Sequence, residues 1–447
     1  MLANQDYPAA DAPREQLIAS YEREIQQAQA IGIDGFALNA GGWTKEPRYI
    51  PRAAAMFEAA YRLHSHFQLT FSADMCCSNR AEDVEDMVRR FANNPRYASV
   101  YAKRDGKFLL TTFAGTKEGP QFWRQIRHDL ETGANPSRYS AAADIAYAGG
   151  ISSSKALPLF LVPAFFWGGE LPGTPDIDTG LAAYKDNIDG AFYWGIAGVP
   201  GLGHPPDQIP SSDAYASVLH AQRKLYMAPI CLQFWGANAG RYYEYSGYQG
   251  MRAMWIDSIQ TSHPEMVEII TWNDFVEGTY VAPIGDPAAH PGANDLGASA
   301  APPDTQHYFH THVGATDLLA YFIQWYKTGE RPRIMRDSIY WAYRTVEDVH
   351  RSSTPLTKFY GPIKDVVYVT ADLTSAASLT VHFGNESRTV VLAAGSTDVQ
   401  VPMVAGHTPT FELLRKHRSI LRANGADAIT IGGHYLNLYY STGDMHD

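Results

Sequence analysis

The sequence holds few of the devices that mark a disulfide-stapled, nucleotide-binding or membrane-spanning protein. Three cysteines in 447 residues cannot build a disulfide framework. Cys76 and Cys77 are adjacent, which would strain a bond between them, and Cys231 stands alone. All three read as small buried hydrophobes. No apolar run approaches the roughly 20 residues that a membrane span needs, and Met1 is not followed by a basic and then apolar leader. Positive charge is also short: 36 Lys+Arg stand against 47 Asp+Glu, a net −11. That balance argues against nucleic acid or an anionic membrane as partner. Neither a Gly-x-Ser-x-Gly elbow nor a phosphate loop with its Lys is present, so serine-hydrolase and P-loop chemistry lack their usual signatures. No cofactor is expected.

What is present is apolar and aromatic. Hydrophobic residues make up 45% and charged ones 19%, enough to bury a large core. Aromatics reach 12%; sugar rings stack on such faces, but large cores use them too. From about residue 31 to residue 274, short apolar runs alternate with helix-like stretches. The runs are Ile33–Asn39, Phe67–Asp74, Phe108–Phe113, Leu157–Phe166, Gly190–Ile196, Tyr226–Phe234 and Met266–Asp274. Most are continuous, as strands buried on both faces should be. Segments such as Arg14–Ala30, Ala81–Asn93 and Arg241–Ser262 read as the helices between them. The pattern predicts an α/β fold, a (β/α)8 barrel over residues 1–350. Its missing first strand is read in Met1–Gln5, cut short, with any leader lying upstream.

Residues 285–306 read as a long loop over the active-site face, and Gly314–Tyr326 as the eighth helix. From about Thr354 the texture becomes short and β-branched, with turns of Gly and Asn. Residues 351–447 therefore read as an antiparallel β-sandwich. Ile33-Asp34-Gly35 and Ile188-Asp189-Gly190 echo each other, each entering a strand.

A barrel keeps its chemistry just past the carboxyl ends of its strands. The polar residues there are Asn39, Asp74, Trp167 with Glu170, Tyr193 and Trp194, Gln233 with Trp235, and Asn273-Asp274 with Glu277. Hydrolysing a glycosidic bond needs two carboxyl groups, one to protonate the leaving oxygen and one to activate water or attack carbon. Asp274 and Glu277 supply such a pair; the alternative is that Asp274 caps the following turn. Asp74 reads as a third catalytic carboxylate, a substrate ligand or a cap. Asn39, Glu170, Gln233 and Asn273 are candidate substrate contacts. Trp167, Tyr193, Trp194 and Trp235 are candidate sugar platforms, with packing in the barrel mouth as the alternative. Phe275 and Val276 favour an extended course between the two acids. His307, His310 and His312 invite a metal reading, but no Cys or carboxylate cluster supports it.

The order of GIDGFALN (32–39), FSAD (71–74), KRDGKFLLTTFAG (103–115), PAFFWGGE (163–170) and IITWNDFVEGTYVAP (269–283) resembles glycoside hydrolase family 71, the α-1,3-glucanases also called mutanases. The resemblance implies a (β/α)8 barrel with a C-terminal β-sandwich, and an inverting endo-hydrolase of α-1,3-linked glucan. It also implies a polysaccharide or oligosaccharide substrate and an extracellular or periplasmic location. The family's Asp-x-x-Glu falls on Asp274 and Glu277, and its aspartate after strand three on Asp74. Where the family typically has Tyr-Gly between the acids, this chain has Phe275-Val276; Gly278-Thr279 follows in place of Ser-His or Thr-His. The Asn-Asp-x-x-Glu-Gly-Thr string also resembles that of family 99 endo-α-mannosidases. A non-catalytic glycan-binding barrel is the reading from a different class.

Overall fold

The computed structural model describes residues 12–46, 48–77, 79–134, 155–165, 177–194, 208–236, 241–275, 277–283, 310–347, 358–360, 363–431 and 440–447. The truncated strand expected at Met1–Gln5 and the loop expected at 285–306 lie outside them, as do Trp167 and Glu170. The chain divides into two compact units. The first is Met1–Trp194 with Pro210–Pro229 and Ser262–Glu268; the second is Gly195–Ile209, Ile230–Thr261 and Ile269–Asp447.

The first unit is mixed α/β with parallel sheets. Its strands are β1 (Gly35–Ala40), β2 (Gln68–Asp74), β3 (Lys107–Phe113), β4 (Leu159–Pro163), β5 (Gly190–Phe192) and the first part of β6 (Leu225–Cys231) and of β7 (Met266–Ile270). Pairing is parallel from β1 to β2, β2 to β3, β3 to β4 and β5 to β6. A parallel bridge from Ala164 to Phe192 continues the path from β4, and β7 lies hydrogen-bonded beside β6. Neighbours in sequence are thus neighbours in space, without the order reversal of a doubly wound sheet. Leu109, Phe160, Val162, Phe192, Leu225 and Met227 form one apolar cluster, with Met266 packed on it. Helices α1 (Arg14–Ala30), α2 (Tyr49–Leu63), α3 (Ala81–Ala92), α4 (Pro120–Thr132), α5 (Ile177–Tyr184) and α6 (Gln208–Ala221) fill the intervals. In α1 the buried Ile18, Tyr21, Ile25 and Ala28 keep the spacing of one helical face.

The echoed Ile-Asp-Gly turns do the same work twice. Asp34 O accepts from Gln68 N at 3.0 Å, and Asp189 O from Leu225 N at 3.1 Å. The following glycine is required in each, because a Cβ on Gly35 would stand 2.3 Å from Gln68 O and one on Gly190 2.5 Å from Leu225 O.

In the second unit, the expected helix Arg241–Ser262 is shorter. Arg241–Tyr243 is instead a strand antiparallel to Phe234–Gly236, and α7 covers Tyr248–Asp257, continued by a π-helical turn over Ser258–Ser262 that ends where expected. Paired tyrosines at 242 and 243 suit a pleated surface better than a helix. Helix α8 (Val313–Thr328) matches the expected eighth helix and ends on Gly329 in the left-handed region. The antiparallel strands are β8 (Ser338–Arg344), β9 (Val366–Leu373), β10 (Ala377–Phe383), β11 (Glu386–Leu392), β12 (Gly395–Pro402), β13 (Thr410–Arg415), β14 (Arg418–Asn424) and β15 (Tyr440–His446). They form two four-stranded sheets, β12-β9-β8-β15 and β11-β10-β13-β14. Alternate residues of both, among them Ile339, Trp341, Val367, Val369, Leu379, Val381, Phe411 and Leu413, enter one core. These strands begin at Ser338, upstream of the expected boundary at 350, because β8 finds both its partners in β9 and β15.

Candidate active site

Beyond Ile270 the chain enters a compact loop. Its two ends pair, Thr271 N–H donating to Thr279 O at 3.0 Å and Val281 N–H to Thr271 O at 3.0 Å. Within it, Thr271 Oγ1 accepts from Asp274 N–H at 2.8 Å, and Asp274 Oδ1 accepts from Glu277 N–H at 3.1 Å. Two short polar side chains three residues apart thus fold the backbone in succession. Gly278 N–H then donates to Phe275 O at 3.2 Å, and Gly278 takes a φ of 67°. The extended course expected between the acids is therefore corrected. Side-chain capping by Thr271 and Asp274 outweighs the β-propensity of Phe275, and Asp274 does act as a cap. Both acids remain half-buried, as do Trp272 and Asn273.

The loop rests on a buried floor. Phe275 packs on Tyr280 at 4.8 Å between ring centroids, and His312 stacks on Tyr280 at 3.9 Å. Tyr280 hydroxyl donates to His310 O at 2.7 Å and accepts from His310 N–H at 2.9 Å. His312 bonds Tyr280 O through Nδ1, and burial pushes its imidazole down to about 3. His310 places Nδ1 3.4 Å from Asp427. These two histidines are occupied as structural groups; His307 lies outside the described residues.

Gln233 and Trp235 are brought against the same loop. Trp235 N–H donates to Glu277 O at 3.0 Å, and Gln233 Nε2 to Gly278 O at 2.8 Å. Both side chains are 2% exposed, so the Trp235 ring is packed in the interior rather than offered as a platform.

The first unit carries Asn39, Asp74, Tyr193 and Trp194. Asp74 is half-buried at the end of β2; its Oδ1 accepts from Cys76 N–H at 2.8 Å. Asn39 is half-buried on β1, its Nδ2 3.5 Å from Ser72 Oγ. Tyr193 is fully buried and stacks on Tyr215, so packing is the role of its ring. Trp194 is half-buried, 4.8 Å from Phe113 edge to face. Cys231 is buried as expected, but Cys76 and Cys77 are exposed. They sit on the single 3-10 turn Met75–Cys77 that follows β2, where the chain has left the core.

Sequence reasoning missed Thr271, Thr279 and Tyr280 as loop-shaping residues. A signal existed for the first: Thr271-x-x-Asp274-x-x-Glu277 repeats the spacing of side-chain caps. Tyr440, whose N–H donates to Gln233 Oε1 at 3.0 Å, gave no local signal.

Among curated relatives, a glucan endo-1,3-alpha-glucosidase of Schizosaccharomyces pombe is 25% identical over 92% of this chain and 87% of its own. A mutanase of Penicillium rubens is 23% identical over 91% of this chain and 81% of its own. An ascus wall endo-1,3-alpha-glucanase, also of Schizosaccharomyces pombe, is 24% identical over 91% of this chain and 88% of its own. A solved GH99 endo-alpha-mannosidase from Bacteroides thetaiotaomicron covers 73% of this chain and 84% of that one at 12% identity and a TM-score of 0.47, too distant to bear on substrate. The glycosyl hydrolase family 71 model matches residues 13–440, and with the acid loop inside that span the chain belongs to glycosyl hydrolase family 71.

Proposed function

We propose that the protein is an endo-hydrolase of α-1,3-linked glucan that inverts the anomeric centre. Glu277 is the general acid, Asp274 the general base, and Asp74 orients substrate or water. The observation that carries this reading is the Asp274–Glu277 turn beyond β7, held by a hydrogen bond to Thr271 and by others from Gln233 and Trp235, in a chain of this family. Two carboxyl groups on one braced turn suit acid–base cleavage of a glycosidic bond. Inversion rests on the family resemblance, since the turn shortens the backbone path between the acids. Asn39, Asn273 and Trp194, each half-buried, are the described candidates for sugar contact; Trp167 and Glu170, candidates from the sequence, lie outside the described residues. The parallel strands belong to a (β/α)8 barrel, and the antiparallel sheets to a β-sandwich. Among the described residues no helix is long and apolar enough to cross a membrane. An extracellular or periplasmic location is what the family resemblance implies, in keeping with a relative named for the ascus wall.

The test is incubation with a panel of α-glucans and α-mannans. Oligosaccharides released from α-1,3-glucan, first seen by proton NMR as the β-anomer, are expected. Release from α-mannan alone would favour the mannosidase reading, and release from none a glycan-binding barrel. An initial α-anomer would mean a retaining mechanism with a nucleophilic carboxylate.

A further inference from the structure

Gln233 does more than touch the acid loop. Its Nε2 donates to Gly278 O at 2.8 Å while its Oε1 accepts from Tyr440 N–H at 3.0 Å. Both ends of the amide are engaged inside the protein, so its geometry is that of a brace between Tyr440 and the turn rather than of a sugar ligand. With Trp235 N–H on Glu277 O at 3.0 Å and Asp274 Oδ1 on Glu277 N–H at 3.1 Å, the backbone of Glu277 is held from both sides. The direction in which its carboxyl leaves the backbone is set by those bonds.

The far end of the brace is anchored deeply. Tyr440 opens β15 in register with Arg344, the last residue of β8. Its hydroxyl donates to Glu244 and accepts from Tyr245 N–H at 3.3 Å. Glu244 also accepts from Arg344, from Tyr242 hydroxyl at 3.1 Å and from Ser246 N–H at 2.7 Å. The Arg344 and Glu244 side chains are fully buried. A sealed ion pair with several hydrogen bonds tolerates little displacement, because moving one member leaves a buried charge unpaired.

We infer that Gln233 is a positioning residue for the Glu277 carboxyl, and that Tyr440, held by the Glu244–Arg344 pair, is its anchor. The last strand of the C-terminal sheet thereby becomes part of the catalytic apparatus. This inference rests on the reading of Glu277 as general acid, so its test separates the two. Substrates with a leaving group that departs without a proton do not need the acid. An α-1,3-linked oligoglucosyl fluoride is such a probe, and the matching oligoglucan is the substrate that does need it.

Gln233→Met keeps the side-chain volume and removes both hydrogen-bonding ends. On the oligoglucan, kcat is expected to fall about tenfold to a hundredfold with KM little changed, the cost of a small misplacement of the acid. On the fluoride the loss should stay under about threefold. Tyr440→Phe, which keeps the backbone N–H but loosens its anchor, should show the same split at about threefold to tenfold, and serves if Gln233→Met does not fold. A parallel loss on both substrates, or none on either, overturns the inference. Glu277→Gln is the control. If it shows the split and the Gln233 and Tyr440 variants do not, the positioning role is wrong; if Glu277→Gln itself shows no split, the acid assignment has failed.

Discussion

The ends of β2 and β7 solve the same problem with different reach. Each strand ends near a carboxylate whose Oδ1 takes a backbone N–H of the following turn, Asp74 from Cys76 and Asp274 from Glu277. Each turn is then braced by a buried side-chain amide. At β2 the brace is Asn79, whose Nδ2 donates to Asp74 O at 3.0 Å and to Ala40 O at 2.7 Å while its Oδ1 accepts from Trp43 N–H at 3.0 Å. At β7 it is Gln233, tied to Gly278 and Tyr440. Asn79 is five residues from Asp74, whereas Gln233 is 45 residues from Gly278 and 207 from Tyr440. The first turn is therefore a property of one stretch of chain with β1 beside it, and the second a property of the assembled second unit.

The largest effects are expected at the carboxylates. Asp274→Asn and Glu277→Gln should each lower kcat on α-1,3-glucan by about three powers of ten or more. Asn at 274 still caps the turn, so thermal unfolding should stay close to that of the parent. Asp74→Asn should cost less, about tenfold to a hundredfold. Near-parental turnover in either of the first two would remove the second turn from the chemistry.

A change to the braces comes next. Asn79→Ala strips partners from Ala40 O, Asp74 O and Trp43 N–H inside the protein, and should destabilise by about 2–3 kcal/mol in urea unfolding. Gly278→Ala, at a φ of 67°, should cost about 1 kcal/mol and lower kcat as well, since the strain falls on the residue after Glu277. An unchanged urea midpoint for Asn79→Ala would mean that the turn after β2 needs no brace.

Stability should also depend on pH, and the two units should respond in opposite directions. His312, in the second unit, is pushed down to about 3 from 6.5 by burial. The folded protein then holds fewer protons there than the unfolded chain, so the stability linked to neutral His312 is present above pH 6.5 and lost as pH falls toward 3. Glu268 on β7, in the first unit, has an enclosed Oε2 without a hydrogen-bond partner, although the residue as a whole is partly exposed. Burial pushes its carboxyl up to about 8 from 4.5. Its contribution is present below pH 4.5 and lost as pH rises through 8. Urea midpoints measured across pH should slope down between about pH 4.5 and 8 in the parent and flatten there in Glu268→Gln. An unchanged slope over that range would assign the loss to another group.

Much of the first unit was legible because its strands are near-continuous apolar runs whose period and length leave little choice. The polar residue after each run then names a candidate site position, as Asp74 does after β2 and Asn273, Asp274 and Glu277 do after β7. Where local preference competed with contacts made far away, the reading slipped. The stretch after Arg241 carries helical spacing, yet its first residues pair with Phe234–Gly236. Strand β8 looked like the tail of the first region, yet its partners lie in β9 and β15.

The sequence alone determined which residues could be acids and that two of them share one short segment, because carboxyl chemistry and strand-end position are local properties. It also held, in Thr271-x-x-Asp274-x-x-Glu277, the caps that bend that segment. Tertiary structure decided which aromatic rings are packed away, as with Tyr193 and Trp235, since burial is set by every neighbour at once. It also decided what Gln233 does. An amide between two strand ends can hold a sugar or a backbone, and only the arrival of Tyr440, 207 residues on, determines which.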